Sequence, residues 1–563
     1  MNSKLYCSLG AALLAFLIDP GSLFAQLTPG DINGDGKVDS SDIARGVQIA
    51  LGKLPPATQS ELASGDINRD GRITVQDLVF ISNTIAGLNR PPVADISASD
   101  DSGTVGVPVN LDASLSFDLD EDTLTYRWRQ LFGPKVSFEY TSHTETPIED
   151  TTKRITIFTP KALGHYKLEL EVTDSNGLID RDTIRVFVES DPTARALAVK
   201  GVIPADAWFQ ELYLPGLAAT VTRVKKTHAE YFSFWYFSFV TLKDSLPVIE
   251  PIPPTVPNTT PDRNVQKQIV DLYHEAGFKV QWIFIFEFDH PFGIGNPIDY
   301  CNQWAEEFKQ KIAIQQASYL DSLGVEMILL QDFPTFGLGD STLNQNIFLP
   351  KINDAMTSFR QNFSGQIGLT ELLFGPKEGT WEGVFNFSII DFGQPQFHRQ
   401  LYQNFDFCEI SFQPNITEHL NDPSVEQLRN QFELIMNNYI KPVEDVIQKP
   451  IYLQLIFPCF DGANKNTSLI FSGTQNPYTT PIDFQEQVDM YEALFQAIDD
   501  KAYIEGIFSR GFSYFDLNYT LDELGQPIFS LDTPLDPSSF SAIHHSIRNK
   551  PATEALRLQF INR

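Results

Sequence analysis

The chain has 563 residues, 42% of them hydrophobic and 12% aromatic. That composition folds rather than staying disordered, and the length exceeds one core, so about three or four domains are expected. The formal net charge of -31 excludes nucleic acid and anionic membrane surfaces as principal partners, since both demand an excess of Lys and Arg. Of four cysteines, Cys7 falls in the N-terminal apolar stretch, and the odd remainder of Cys301, Cys408 and Cys459, without CxxC spacing, is neither a disulfide framework nor a zinc site; the three read as core side chains.

Residues 1–25 carry Lys4, then the apolar Ala11, Leu13, Leu14, Phe16 and Leu17, and close on Leu23-Phe24-Ala25. This is the pattern of a secretory signal peptide cleaved after Ala25, too short to span a bilayer permanently. No later apolar run reads as a transmembrane helix. A secreted protein, extracellular or at the cell surface, is expected.

Next comes Asp31-Ile32-Asn33-Gly34-Asp35-Gly36-Lys37-Val38-Asp39-Ser40-Ser41-Asp42. Oxygen side chains at positions 1, 3, 5, 9 and 12, a backbone carbonyl from Lys37 at 7, and Gly at 6 for the sharp turn are the chemistry of a calcium loop. A second copy supplies Asp66, Asn68, Asp70, Arg72 through its carbonyl, Thr74 and Asp77. Each loop opens an apolar-periodic helix, and two complete copies make a chance polar turn improbable. Both end in Asp rather than Glu. Residues 29–88 thereby resemble the type I dockerin repeat, and the resemblance implies two Ca2+ ions and a cohesin-like protein partner. Partner choice would involve Ser40 and Ser41 in one copy, Val75 and Gln76 in the other.

Arg90-Pro91-Pro92 is a stiff junction. Beyond it Val107–Asp112, Thr123–Trp128, Tyr166–Val172 and Thr183–Val188 alternate apolar and polar side chains, with turn clusters such as Asp174-Ser175-Asn176-Gly177 between them. A β-sandwich over 90–190 is expected, with Trp128 in its core. The segments Asn89–Ala94, Leu111–Ser114, Leu124–Trp128 and Val172–Gly177 resemble an immunoglobulin-like PKD domain, which implies a spacer or adhesive role.

From 194 to 563 strand-like runs alternate with helical stretches. The strand candidates are Val199–Ile203, Tyr231–Phe239, Lys279–Phe286, Glu326–Leu330, Ile367–Leu373, Phe407–Phe412, Pro450–Phe457 and Ile504–Phe508. The helical segments include Val265–Ala276, Trp304–Leu323, Val425–Tyr439 and Phe484–Ala497. Eight repeats suggest a (β/α)8 barrel whose site lies at the strand C-terminal ends; a doubly wound open sheet is the alternative. The fold class expected of the whole chain is multidomain: a small α calcium-loop module, an all-β immunoglobulin-like sandwich and an α/β TIM barrel.

Ala276–Val280, Leu323–Met327, Lys449–Tyr452 and Tyr491–Phe495 make the last domain resemble TIM-barrel glycoside hydrolases of the β-mannanase and endoglucanase type. The resemblance implies hydrolysis of O-glycosyl bonds in a polysaccharide or oligosaccharide, with an acid after strand four and a nucleophilic Glu after strand seven. Strand four ends Gln331-Asp332, so Asp332 becomes the candidate acid. Strand seven offers Gln454 or Leu455, and neither can be a nucleophile. Glu287 and Asp289 after strand three, Glu371 in strand five and Asp461 beyond strand seven could supply the second carboxyl group that glycoside hydrolysis requires. Trp235, Trp282 and Trp381, with Tyr514, are candidates to stack on sugar rings, although core packing explains most such rings. Three readings follow: a glycan hydrolase, a barrel that binds carbohydrate without cleaving it, and a surface assembly or adhesion protein.

Overall fold

The computed structural model describes residues 28–55, 57–68, 71–97, 99–134, 148, 151–204, 220–221, 224–250, 262–334, 340–374, 394–413, 415–417, 420, 422–459, 462–465, 483–511, 519–521, 527–529 and 551–563. The expected signal peptide lies outside them. Among the described residues no helix is long and apolar enough to cross a membrane.

Capping chemistry starts each N-terminal helix. Asp39 caps α1 (Ser40–Ala50), Thr58 caps α2 (Gln59–Gly65) and Thr74 caps α3 (Val75–Ala86). Each closes a capping box with an acidic residue on the first turn, Asp42, Glu61 or Asp77. The helices bury one small core around Ile32, Ile67, Ile73, Leu78 and Ile81. Arg90 then ties α3 to the next module: its guanidinium donates to Asp120 at 2.6 Å, to the Leu119 carbonyl at 2.8 Å and to the Thr84 hydroxyl at 3.1 Å.

Period-two alternation yields β1 (Ser102–Thr104), β2 (Val109–Asp112), β3 (Thr125–Phe132), β4 (Ile155–Phe158), β5 (Gly164–Thr173) and β6 (Ile179–Ser190). They form a sheet in the order β1-β6-β5-β3 and a second sheet β2-β4. Trp128 is buried in their shared core, its indole N–H donating to the Lys153 carbonyl at 2.9 Å.

The third module contains β7 (Val199–Ile203), β8 (Tyr231–Lys243), β9 (Leu246–Glu250), β10 (Lys279–Phe288), β11 (Met327–Gln331), β12 (Gln366–Phe374), β13 (Phe407–Gln413), β14 (Ile451–Leu455) and β15 (Ile504–Arg510). All of these except β9 pair in parallel around a ring, β7-β8-β10-β11-β12-β13-β14-β15 and back to β7. This is a closed eight-stranded (β/α)8 barrel, and closure removes the open-sheet alternative. Strand β9 folds back antiparallel on β8 as a hairpin. The eight strands fall on the eight apolar runs of the sequence, with the seventh shortened to Ile451–Leu455.

Amphipathic helices cover the outside, among them Arg263–Glu275, Val425–Ile435 and Phe484–Ala497. The sandwich is seated on two of the barrel's helices. Gln496 donates to the Lys161 carbonyl at 3.1 Å, while Asn562 of helix Pro551–Asn562 accepts from Asp191 N–H at 3.0 Å and donates to the Glu189 carbonyl at 3.1 Å.

Inside the barrel two glycines make room for rings. A Cβ on Gly201 would lie 2.2 Å from two ring carbons of Phe508, and one on Gly368 would lie 2.1 Å from two of Phe407. Enclosed rings cannot yield that far, so Gly201→Ala and Gly368→Ala should each destabilise the barrel by about 1–3 kcal/mol. Denaturant midpoints followed by tryptophan fluorescence check this; unchanged midpoints contradict the packing.

Candidate functional site

The first calcium-type loop winds about Asp31, whose carboxylate accepts the backbone N–H groups of Gly34 (2.8 Å), Asp35 (3.1 Å) and Gly36 (2.8 Å). Gly36 and Gly71 hold φ of 84° and 86°, a left-handed turn that glycine adopts without penalty. At the other end, buried Asp42 accepts from Asn33 N–H (3.0 Å) and Asp39 N–H (2.9 Å). Asp77 repeats this in the second loop with Ile67 N–H (2.8 Å), Asn68 N–H (3.2 Å) and Thr74 N–H (2.7 Å), and Asp66 accepts from Gly71 N–H at 2.8 Å. The side-chain donor set is oxygen, mostly carboxylate, on a loop closed at both ends, which fits a hard cation such as Ca2+. Lys37 and Arg72 sit where a backbone carbonyl is wanted. Asp70 lies outside the described residues.

The barrel interior is identified by a bond that crosses it. Glu409 on β13 accepts from the Gln281 amide on β10, which is not its sheet neighbour, at 2.8 Å. Both therefore face the lumen, and residues paired with them laterally face it too. Gln454 on β14 donates to the other Glu409 oxygen at 3.0 Å. Each amide oxygen is held by a serine: Ser233 donates to Gln281 at 2.5 Å, and Ser411 to Gln454 at 3.1 Å. All five residues are buried. Burial pushes the Glu409 carboxyl up to about 7, while the two amides and Arg510 pull the other way.

Nearer the mouth, Arg510 ends β15 with its guanidinium 4.3 Å from the ring centre of Trp235 on β8. Burial lowers its pKa to about 10, opposed by the charges of Asp332 and Glu409. Asp332 follows β11 in a left-handed conformation, φ 55°. The residue is open to water at the rim, yet desolvation by the surrounding walls raises its carboxyl, with Gln331 and Arg510 opposing. Glu287, near the end of neighbouring β10, is raised by desolvation and then by the charge of Asp332. Glu409, Arg510, Asp332 and Glu287 thus run from core to rim.

Two expected site residues are placed elsewhere. Glu371 pairs laterally with Ile410, the neighbour of lumen-facing Glu409, so it points outward; there the Tyr402 hydroxyl donates to it at 2.6 Å. Trp282 alternates with lumen-facing Gln281 and packs outward beside Phe234 and Tyr236, ring centres 4.8 and 5.8 Å away. Both belong to the layer between sheet and helices, which corrects their reading as mouth residues. Trp381, Asp461 and Tyr514 lie outside the described residues. Asp289 engages His290, which contacts the Tyr300 hydroxyl at 2.8 Å. Sequence reasoning missed Glu409 and Arg510. The available signal was a lone carboxylate inside the apolar run Phe407–Phe412 and a lone cation closing the last strand.

Residues 29–86 match the dockerin type I domain family. Type I dockerins generally bind calcium and dock on cohesins. The chain is therefore a modular protein carrying a dockerin type I module, a β-sandwich and a closed (β/α)8 barrel. Solved structures similar to it include a GH113 β-mannanase from Alicyclobacillus acidocaldarius, 13% identical, with 66% of this chain and 99% of that one covered and a TM-score of 0.43. An endo-1,4-β-D-mannanase from Thermotoga petrophila is 13% identical over 64% of this chain and 98% of its own, TM-score 0.41. The PKD domain of the KIAA 1837 protein is 24% identical over 17% of this chain and 85% of its own, TM-score 0.14. Such identities concern the fold alone. No curated protein matches the chain.

Because the Glu409 carboxyl is higher in the fold than its ordinary 4.5, it favours the folded state fully below that pH. The contribution is lost as pH rises through about 7. The shift corresponds to about 3 kcal/mol. Glu492, raised to about 7 by burial on helix Phe484–Ala497, adds a second contribution of the same sign. Glu409→Gln should therefore weaken, without abolishing, the fall in urea midpoint between pH 5 and pH 8. An unaltered pH dependence contradicts the assignment.

Proposed function

We propose that this is a secreted, modular, glycan-directed protein in which residues 1–25 direct export and the module at 29–88 docks on a cohesin-like partner. In this reading the sandwich at 90–190 is a spacer, and the barrel at 194–563 hydrolyses O-glycosyl bonds of a polysaccharide. Asp332 is the proton donor. The observation that carries the reading is the Asp332 and Glu287 pair at the C-terminal rim, two carboxyl groups from neighbouring strand ends, both raised by desolvation. Desolvation favours the protonated form of a carboxyl, the form that can pass a proton to a leaving glycosidic oxygen. The second carboxyl then activates water. Gln454 cannot share this work, since its amide is spent between Ser411 and Glu409.

The buried Gln454 also favours a second reading, a barrel that holds glycan without cleaving it. Asp332→Asn separates the two, because Asn tolerates the left-handed backbone and the fold survives. On a panel of mannan, glucan and xylan, turnover by Asp332→Asn should fall about 10²–10⁴-fold with binding retained. Equal cleavage by the variant refutes Asp332 as donor; binding without cleavage by wild type establishes the second reading.

In the N-terminal module one Ca2+ is held by Asp31, Asn33, Asp35, the Lys37 carbonyl, Asp39 and Asp42. A second is held by Asp66, Asn68, Asp70, the Arg72 carbonyl, Thr74 and Asp77. The ions neutralise carboxylates that otherwise repel one another across each loop. Chelation should unfold α1 and α3 while the barrel persists, and calorimetry should count two sites. Exchange protection of α1 and α3 that survives excess EDTA contradicts this.

A further inference from the structure

The C-terminal face of the barrel holds a buried carboxylate that the proposed chemistry leaves unused. Glu486 lies on the first turn of helix Phe484–Ala497, where a helix N-terminus favours negative charge, and its side chain ends on the loop after β14. One oxygen accepts from Gly462 N–H at 2.8 Å; the other accepts from Asn464 N–H at 2.7 Å and from the Asn464 side-chain amide at 2.5 Å. Three donors on two oxygens suit an ionised carboxylate. Asn464 passes the hold to the loop after β13. Its carbonyl accepts from Ile416 N–H at 2.7 Å and Thr417 N–H at 3.2 Å, and its side-chain oxygen accepts from the Thr417 hydroxyl. Ile416, Thr417, Asn464 and Glu486 are all buried. Because the strands are parallel, both loops leave the barrel at the end where Glu287 and Asp332 stand. In the ring β14 lies four strands from β10 in either direction, so its loop meets the strand of Glu287 from across the mouth.

We propose that Glu486 is a positioning residue for glycan binding: it ties the loops after β13 and β14 into one wall and holds that wall opposite Glu287 and Asp332, so that a sugar chain enters a preformed cleft. The inference rests on the barrel being glycan-directed, whether or not it cleaves. Loops ordered before the ligand arrives need not be ordered by it, so the tie acts on affinity. Loosened loops can still reach the bound arrangement, but each binding event then bears the cost of ordering them. A purely structural role has a different signature: some molecules lose the site altogether, and the rest bind as before.

The experiment compares full-length wild type with Glu486→Gln, which keeps the size of the side chain but turns an NH2 toward backbone N–H groups that need an acceptor. Hydrogen exchange read by mass spectrometry should quicken about tenfold or more at residues 416–417 and 462–464 and stay unchanged in β10 and β11. Calorimetric titration with mannohexaose, cellohexaose and xylohexaose should show, for whichever of them wild type binds, a Kd raised about tenfold at an unchanged number of sites. If that sugar is cleaved, KM should rise by the same factor while kcat holds. Thr417→Val removes only the outer tie and should raise Kd less, which keeps the proposal testable should Glu486→Gln fail to fold. Unchanged exchange in the two loops overturns the proposal, and so does faster exchange with an unaltered Kd. Fewer sites at the wild-type Kd, or a lower kcat at the wild-type KM, also overturns it, because the role is then structural alone. Should Glu486→Gln not fold, a wild-type Kd in Thr417→Val is the overturning result. Binding without cleavage by wild type defeats only the hydrolase reading; no binding of any of the three sugars defeats the glycan-directed reading, and this proposal falls with it.

Discussion

In a closed parallel barrel every strand residue faces either the lumen or the helices, and the choice on one strand commits all its neighbours. Glu409 and Cys408 are adjacent in the chain, yet one lies in a cradle of amides and the other contacts Tyr402 in the outer layer. Slipping β13 by one residue would exchange them, leaving a thiol where Gln281 and Gln454 need an acceptor and a carboxylate among apolar helices. Register is therefore enforced by charge as well as by shape. The glycines at 201 and 368 belong to the same constraint, because they admit the Phe508 and Phe407 rings that fill the lumen.

The N-terminal module shows a comparable economy at smaller scale. Asp39 and Thr74 stand at proposed ligand positions and at helix N-caps together, and Asp42 and Asp77 close both the loop and the capping box. An ion held in each loop as proposed would thus draw on the same oxygens as helix initiation. Substituting any of the four disturbs a helix start even where the ion is absent.

The dockerin module was legible because each of its two loops sets oxygen side chains and a glycine at fixed places within twelve consecutive positions. The barrel strands were legible as apolar runs bounded by turn residues. Their facing was not. A parallel strand buried on both sides carries no polar alternation, so nothing in Lys279–Phe288 marks Trp282 as outward and Gln281 as inward. Glu371 was misplaced for the same reason. Glu409 and Arg510 escaped notice because their meaning lies in partners far along the chain, Gln281 at 128 residues in one case and Trp235 on β8, two strands around the ring, in the other. Asp332 could be placed from strand four alone, since it needs only the strand's end.

Arg90 fastens α3 to the sandwich, and Gln496 and Asn562 fasten the sandwich to the barrel's helices. Two short joints in series therefore link the first module to the barrel. Weakening either joint would change how freely the mouth turns without touching a residue inside it.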